Sequence, residues 1–345
     1  MQLTANSRVA ILLQGGIKGH HGKTGLAFLR YSQTKMVAVI DSEAEGESLV
    51  GLTKIERNVP IVKNVQAALT YQPEILLIGI ATSGGKLPSD LLAEIAIAVK
   101  AGLSIVNGLH TSLNHRFPNL RSGQKIWDIR QEPAGVKIGT GKARSLSAQR
   151  ILTVGTDMAI GKMSTSLELH RAALAQGIKA QFIATGQAGI AISGQGIALD
   201  AVRVDFAAGA VEKTLLEQAI EQDLVIIEGQ GSLLHPGSTA TLPLIRGSQP
   251  TGLVLVHRAG AKHIRDLPNF LIPPLSEVIQ LYETVASAGG TFGEVKVKAI
   301  ALNTLGMNHN KAEAVIKSTA ESTGLPCSDV VRYGAASLLP AVYAK

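Results

Sequence analysis

The sequence predicts an α/β protein, with a doubly wound parallel-sheet domain over residues 1–145 followed by a second α/β domain over residues 146–345. Three observations predict it. Short aliphatic runs recur along the chain, each closing on glycine or a polar residue and most followed by helical periodicity. Only 3% of residues are aromatic while 46% are hydrophobic, and 36 glycines supply the turns of an aliphatic parallel sheet. At 345 residues the chain also exceeds what one core holds, given ~150 residues per domain.

In the first half, residues 8–14 (RVAILLQ) read as a strand ending in Gly15-Gly16, and residues 25–31 open a helix. Residues 36–40 (MVAVI) form a second strand closing on Asp41, and residues 74–80 and 103–106 supply two more. Between these two, Ser89–Ala101 carries helical periodicity behind a Pro88-Ser89 start. From 120 to 147 the pattern dissolves into Gly, Lys and Arg, which sets the boundary near 145. Strands are then expected at 150–154, 179–184, 223–228, 252–257 and Val297–Asn303, with helices at Lys162–Ala175, 209–220 and 274–288.

A net charge of +7 and a pI near 9.4 favour acidic ligands such as phosphates and carboxylates. The cations are scattered and no zinc-finger or RNP-like spacing appears, so nucleic acid is not an expected partner. Cys327 stands alone, which leaves no intrachain disulfide and reads as a small packing residue. No apolar run reaches ~18 residues and the N-terminus lacks a cleavage pattern, so a cytoplasmic protein without a membrane partner is expected. A homo-oligomer binding a small-molecule substrate fits this class.

The sharpest motif is ILTVGTDMAIGKMSTS. Gly155 ends a strand, Gly161 lets the backbone turn inward, and Lys162 begins a helix whose unpaired amides favour an anion. This phosphate-binding loop (P-loop) would place Gly155, Thr156, Asp157, Gly161, Lys162, Met163, Ser164 and Thr165 around a cofactor. Five residues separate its glycines where the usual spacing is four. Residues 223–230 (DLVIIEGQ) supply the apolar strand with an acidic end that P-loop proteins place beside such a loop. The Gly-Thr-Asp start resembles the enlarged loop of dethiobiotin synthetase, as does Glu228-Gly229. Met163 stands where most P-loops carry Ser or Thr, and a thioether is a poor ligand for Mg²⁺.

The first half repeats the pattern in GIKGHHGKT, residues 16–24. His20, His21, Lys23 and Thr24 crowd this turn, and His110 follows a later strand in NGLHTSLN. Metal-ligand spacings such as His-x-His are absent, and an anion or substrate pocket is the better reading. Asp41 stands where a ribose could bind, but Gly15-Gly16-x-x-Gly19 is a poor dinucleotide fingerprint, which disfavours a dehydrogenase.

Over nearly its whole length the chain resembles a bacterial family long described as a domain of unknown function, with a Rossmann-like N-terminal half and a P-loop C-terminal half. The segments that carry the likeness are GKTGLAFLRYS, SGGKLP, GLHTSLN, IWDIR, GTDMAIGKMSTSLEL, ATGQAGIAISG, DAVRVDFAAGA and IEGQGSLLHPG. Some members are assigned as D-glutamate N-acetyltransferases, so the resemblance implies acetyl-CoA as cofactor and an acidic amino acid as substrate. Acetyl transfer needs a base, oxyanion donors and cations for the substrate carboxylates. Glu228 and His235 are the base candidates, and Asp205 is a further catalytic candidate that, with Asp200, is positioned to face the loop where the resemblance implies an acidic metal position. The turn Gly229, Gln230, Gly231 and Ser232 offers amides to the oxyanion. Arg130 and Arg258 are the expected carboxylate ligands, with His110 and Lys23 as further substrate contacts. Two other readings stand beside this one. An ATP-dependent ligase or kinase would use Ser164, Asp205 and Glu228 around Mg²⁺, and a non-catalytic nucleotide-binding switch would need no base.

Overall fold

The computed structural model describes Met1, residues 3–81 and residues 87–344. Most of the SGGKLP segment therefore lies outside the described residues. The rest forms two compact units, one of residues 1–131 with 187–201 and the other of residues 132–186 with 202–345.

In the first unit six parallel strands, β1 (Arg8–Leu12), β2 (Lys35–Ile40), β3 (Ile61–Val62), β4 (Ile75–Ile78), β5 (Ser104–Asn107) and β6 (Ile126–Asp128), line up as β3-β2-β1-β4-β5-β6. This is the order of a doubly wound Rossmann-like sheet. Its strands read as unbroken aliphatic runs because helices cover both faces: Val9, Ala10, Ile11 and Leu12 are all fully buried. The helices are α1 (Lys23–Tyr31), α2 (Leu49–Thr53), α3 (Val65–Ala68) and α4 (Ser89–Ala101). Helix α4 ends at Gly102 in the left-handed conformation that closes its last turn.

The second unit holds six more parallel strands. They are β7 (Gln149–Gly155), β8 (Ala180–Ile183), β9 (Leu224–Ile227), β10 (Gly252–Arg258), β13 (Val297–Asn303) and β14 (Cys327–Ser328), ordered β14-β13-β10-β7-β9-β8. An antiparallel hairpin, β11 (His263–Ile264) and β12 (Leu267–Leu271), follows β10. Helix α5 (Lys162–Ala175) packs with the sheet core through Leu169 and Ala173. Residues 187–201 carry α6 (Gln187–Ser193), which packs on α1 within the first unit. The remaining helices are α7 (Val204–Gln218), α8 (Thr241–Ser248), α9 (Leu275–Ser287), α10 (His309–Thr323), α11 (Val330–Tyr333) and α12 (Leu339–Val342). No helix among the described residues is long and apolar enough to cross a membrane.

The chain enters the second unit at residue 132, ahead of the 145 expected from composition: Glu132 pairs with Arg203, and Glu212 of α7 holds the 140–142 segment. The Glu212 carboxylate accepts from the Thr140 amide at 3.0 Å, the Thr140 hydroxyl at 2.7 Å and the Lys142 amide at 2.7 Å.

Candidate active site

In the second unit the chain visits β8 and β9 on one side of β7 and then crosses to β10 on the other. The strand order reverses between β7 and β10, where parallel sheets open a crevice at their carboxyl ends. Gly155 closes β7, residues 156–161 wrap around, and Lys162 opens α5. Gly161 sits at φ +120°, a backbone conformation that side-chain-bearing residues rarely adopt, so the inward turn before the helix depends on glycine there.

Lys162 is 5% exposed, and its ammonium donates to the Asp157 carbonyl at 2.6 Å. Burial lowers its pKa to about 8, although the negative charges of Asp157 and Glu228 pull the other way. A desolvated cation at a helix N-terminus gains strongly from an anion. The loop around it is braced from several sides. The Asp157 carboxylate accepts from the Met158 amide at 2.6 Å and from the Arg265 amide at 2.7 Å, which ties the loop to the β11–β12 hairpin. The Thr156 hydroxyl lies 2.9 Å from Nδ1 of His257, whose burial lowers its pKa to about 4 and keeps the ring neutral. Asn303 donates to the Ile160 carbonyl at 3.0 Å. Tyr282 donates to the Gly155 carbonyl at 2.7 Å and accepts from the Leu233 amide at 3.0 Å.

A cavity of about 280 Å³ lies between this loop and the segment after β10, lined by Thr156–Ile160 on one side and by Arg258, His263 and Arg265 on the other. Arg258 is exposed there and has no partner among the described residues.

β9 pairs directly with β7, which brings Glu228 beside the loop. One carboxylate oxygen of Glu228 accepts from the Thr185 amide at 2.9 Å and the Gly186 amide at 3.2 Å. A Cβ on Gly229 would stand 1.7 Å from the Thr153 carbonyl, so only glycine follows Glu228 without displacing β7. Two of the four amides expected to face an oxyanion are spent within the turn: Gly229 donates to the Thr153 hydroxyl at 2.8 Å and Ser232 to the Ser238 hydroxyl at 3.0 Å. His235, expected as a base, accepts from the Gly237 amide through Nδ1 at 3.0 Å. In the neutral ring this puts the proton on Nε2, so the free edge is a donor. Asp205 lies in the first turn of α7, exposed and unpartnered among the described residues, on the wall of a larger cavity of about 930 Å³ that Ser232 also lines. Of the loop residues expected around a cofactor, Thr165 is buried, while Met163 and Ser164 are half-buried. Among the described residues no three His, Cys, Asp or Glu are grouped to hold a metal ion.

The first unit gathers other candidates elsewhere. Arg130 is already committed: it donates to the Gly108 carbonyl at 2.6 Å, lies 2.8 Å from Nε2 of His110, and pairs with Asp200. Asp200 and Asp205, expected to act together, thus belong to different units. Asp41 is buried and holds the first glycine turn, accepting from the Gly15 and Ile17 amides at 3.0 Å each, rather than facing a ribose. Lys23 is exposed at the start of α1, and His20 and His21 are exposed just before it. Asp128, unforeseen, joins WDIR to GLHTSLN by accepting from Asn107 at 2.7 Å, Ser112 at 2.6 Å and the Asn114 amide at 3.1 Å. Burial alone would raise its pKa, but these donors hold it below the usual carboxylate value.

His257, Tyr282, Asn303 and Arg265 also escaped the sequence reading. His257 and Asn303 carried a signal, each as the polar last residue of an expected aliphatic strand, GLVLVH and VKAIALN.

Residues 137–339 match the family described as a domain of unknown function (DUF1611_C), P-loop domain, and residues 42–132 match the DUF1611_N Rossmann-like domain. A D-glutamate N-acetyltransferase of Pseudoalteromonas sp is 38% identical over 76% of this chain and 79% of its own length. A second protein of that name, from Tritonibacter scottomollicae, is 36% identical over 78% of this chain and 81% of its own. The crystal structure of a DUF1611 family protein from Anabaena variabilis ATCC 29413 is 59% identical and superimposes with a TM-score of 0.95, covering 98% of this chain and 99% of that one.

Proposed function

The chain belongs to the DUF1611 family, and from that premise we propose that it is an acetyl-CoA-dependent N-acetyltransferase acting on an acidic amino acid of the D-glutamate kind. The observation that carries the reading is Lys162, a buried cation at the start of α5, held by a loop whose residues Thr156–Ile160 line a small cavity together with Arg258. That arrangement suits the pyrophosphate of a nucleotide-bearing cofactor, and phosphate binding alone does not require the hydroxyl that Met163 replaces.

Acetyl-CoA supplies an activated acyl group: the amine nitrogen forms a bond to the thioester carbon, the carbon–sulfur bond breaks, and of the two protons the ammonium group loses, one ends on the departing thiol and the other goes to a base, leaving a single N–H in the amide. Asp205 is the carboxylate best suited to receive one of them, because Glu228 is hydrogen-bonded to Thr185 and Gly186 and His235 presents a donor. Lys162 and Arg258 anchor the phosphates, and the loop's braces at Asp157, Thr156 and Gly155 hold the amides in place.

Purified protein incubated with acetyl-CoA and D-glutamate should release free thiol, with N-acetylglutamate appearing in equal amount. Absence of thiol release with every acidic amino acid would reject the transferase reading. Turnover of Mg·ATP in its place would support a ligase.

A further inference from the structure

We propose that the 930 Å³ cavity of the second unit is the binding site of the acidic amino acid, with Arg144 and Arg246 each taking one carboxylate and Asp205 taking the ammonium group. The proposal deepens the transferase reading and rests on it for the substrate's identity. Neither arginine was a candidate in the sequence, where nothing distinguishes it from the other cations.

Both arginines line the cavity and are exposed, and neither has a partner among the described residues. Their backbones rest on one element, α7. Glu212 on α7 grips the Thr140 and Lys142 amides, and Arg144 follows within the 3₁₀ turn Lys142–Ser145. Arg246 lies on α8, which approaches α7 so closely that a Cβ on Gly247 would stand 2.2 Å from the Ala208 carbonyl. Asp205 opens the same helix. A packed scaffold therefore brings two cations and one anion to a single cavity, which is the charge complement of a dicarboxylate that carries an ammonium group. Guanidinium groups match carboxylates bidentately, so two of them select the second carboxylate as well as the first.

Two further features favour this occupant. Ligand pockets span ~300–1,000 Å³, so the cavity has room for an amino acid and the end of an acyl-bearing arm. Leu233, on the cavity wall, donates to Tyr282, which donates to the Gly155 carbonyl, so the wall is two hydrogen bonds from the end of the loop strand.

The test measures binding of D-glutamate and D-glutamine by calorimetry, with and without CoA, to the full-length protein and to its R144Q, R246Q and D205N variants. Thermal melts confirm folding, which surface substitutions should leave intact. D-Glutamate affinity should fall at least tenfold in each arginine variant while acetyl-CoA affinity stays within twofold. The preference for glutamate over glutamine should collapse in one of the two. Unchanged D-glutamate affinity in both arginine variants would overturn the proposal, as would absence of D-glutamate binding to the parent protein. If the parent binds D-glutamate through these arginines but releases no thiol from acetyl-CoA, the cavity assignment stands and the transferase reading falls. If acetyl transfer proceeds with unchanged KM in both variants, the assignment alone falls.

Discussion

Replacing Lys162 by Met tests the phosphate site with the side chain's length nearly preserved. In the parent protein burial lowers the Lys162 pKa to about 8. A bound phosphate stabilises the charged form, so binding and protonation are linked. Nearly all of the lysine is charged at pH 7 but only about a tenth at pH 9, so acetyl-CoA affinity should weaken roughly tenfold across that interval. The variant loses a charge-assisted hydrogen bond of ~1.5–3 kcal/mol, which weakens binding by about 10- to 150-fold at pH 7. It also loses the pH slope, because no group that titrates there remains at that position. Calorimetric titration of acetyl-CoA at pH 7, 8 and 9 for both proteins gives both quantities, with thermal melts as the folding control. An equal slope in parent and variant, or equal affinity at pH 7, would refute the placement of the phosphates on this lysine.

Three other outcomes follow from the same geometry. Tyr282→Phe strands the buried Gly155 carbonyl and the Leu233 amide, and should cost about 2 kcal/mol in urea denaturation; a loss under about 0.5 kcal/mol would mean the bridge is not maintained. Gly229→Ala drives a methyl group into the Thr153 carbonyl and should cost about 3 kcal/mol or more, so a melting temperature within a degree or two of the parent would contradict the close approach of β9 and β7. His257 is held neutral down to about pH 4, while in the unfolded chain it takes a proton near the ordinary imidazole value of about 6.5. The unfolded state thus binds more protons between these values, and stability should fall as pH drops from 6.5 to 4, by up to about 3 kcal/mol. His257→Asn should flatten that part of the stability curve, and an unaltered slope would show that other groups produce it.

How far the sequence could be read depended on whether a feature was local. Strands β7, β10 and β13 announced themselves as aliphatic runs, and helices α4 and α5 start and stop where their sequences predicted. Helix α10 did not, because only Ala312 of its fifteen residues is buried and the hydrophobic periodicity is faint. Strand β6 has three residues in a stretch rich in Gly and Lys, too short to show alternation. Within the site, the glycines around Lys162 and the acid after β9 were legible because loop and strand-end chemistry repeats at fixed spacing.

The amino-acid order by itself determined two aliphatic parallel-sheet units and a glycine-lysine loop between strand and helix, since these follow from backbone geometry and the spacing of apolar residues. Only the tertiary structure decided which charged side chains are spent and which are free. Arg130 meets Asp200 across 70 positions of chain, Glu212 secures Thr140 across 72, and Arg144 and Arg246 come to the same cavity as Asp205 because their two segments pack on α7, the helix that carries Asp205. Charged side chains reach partners through space, and their pairing is set by packing that no local pattern encodes.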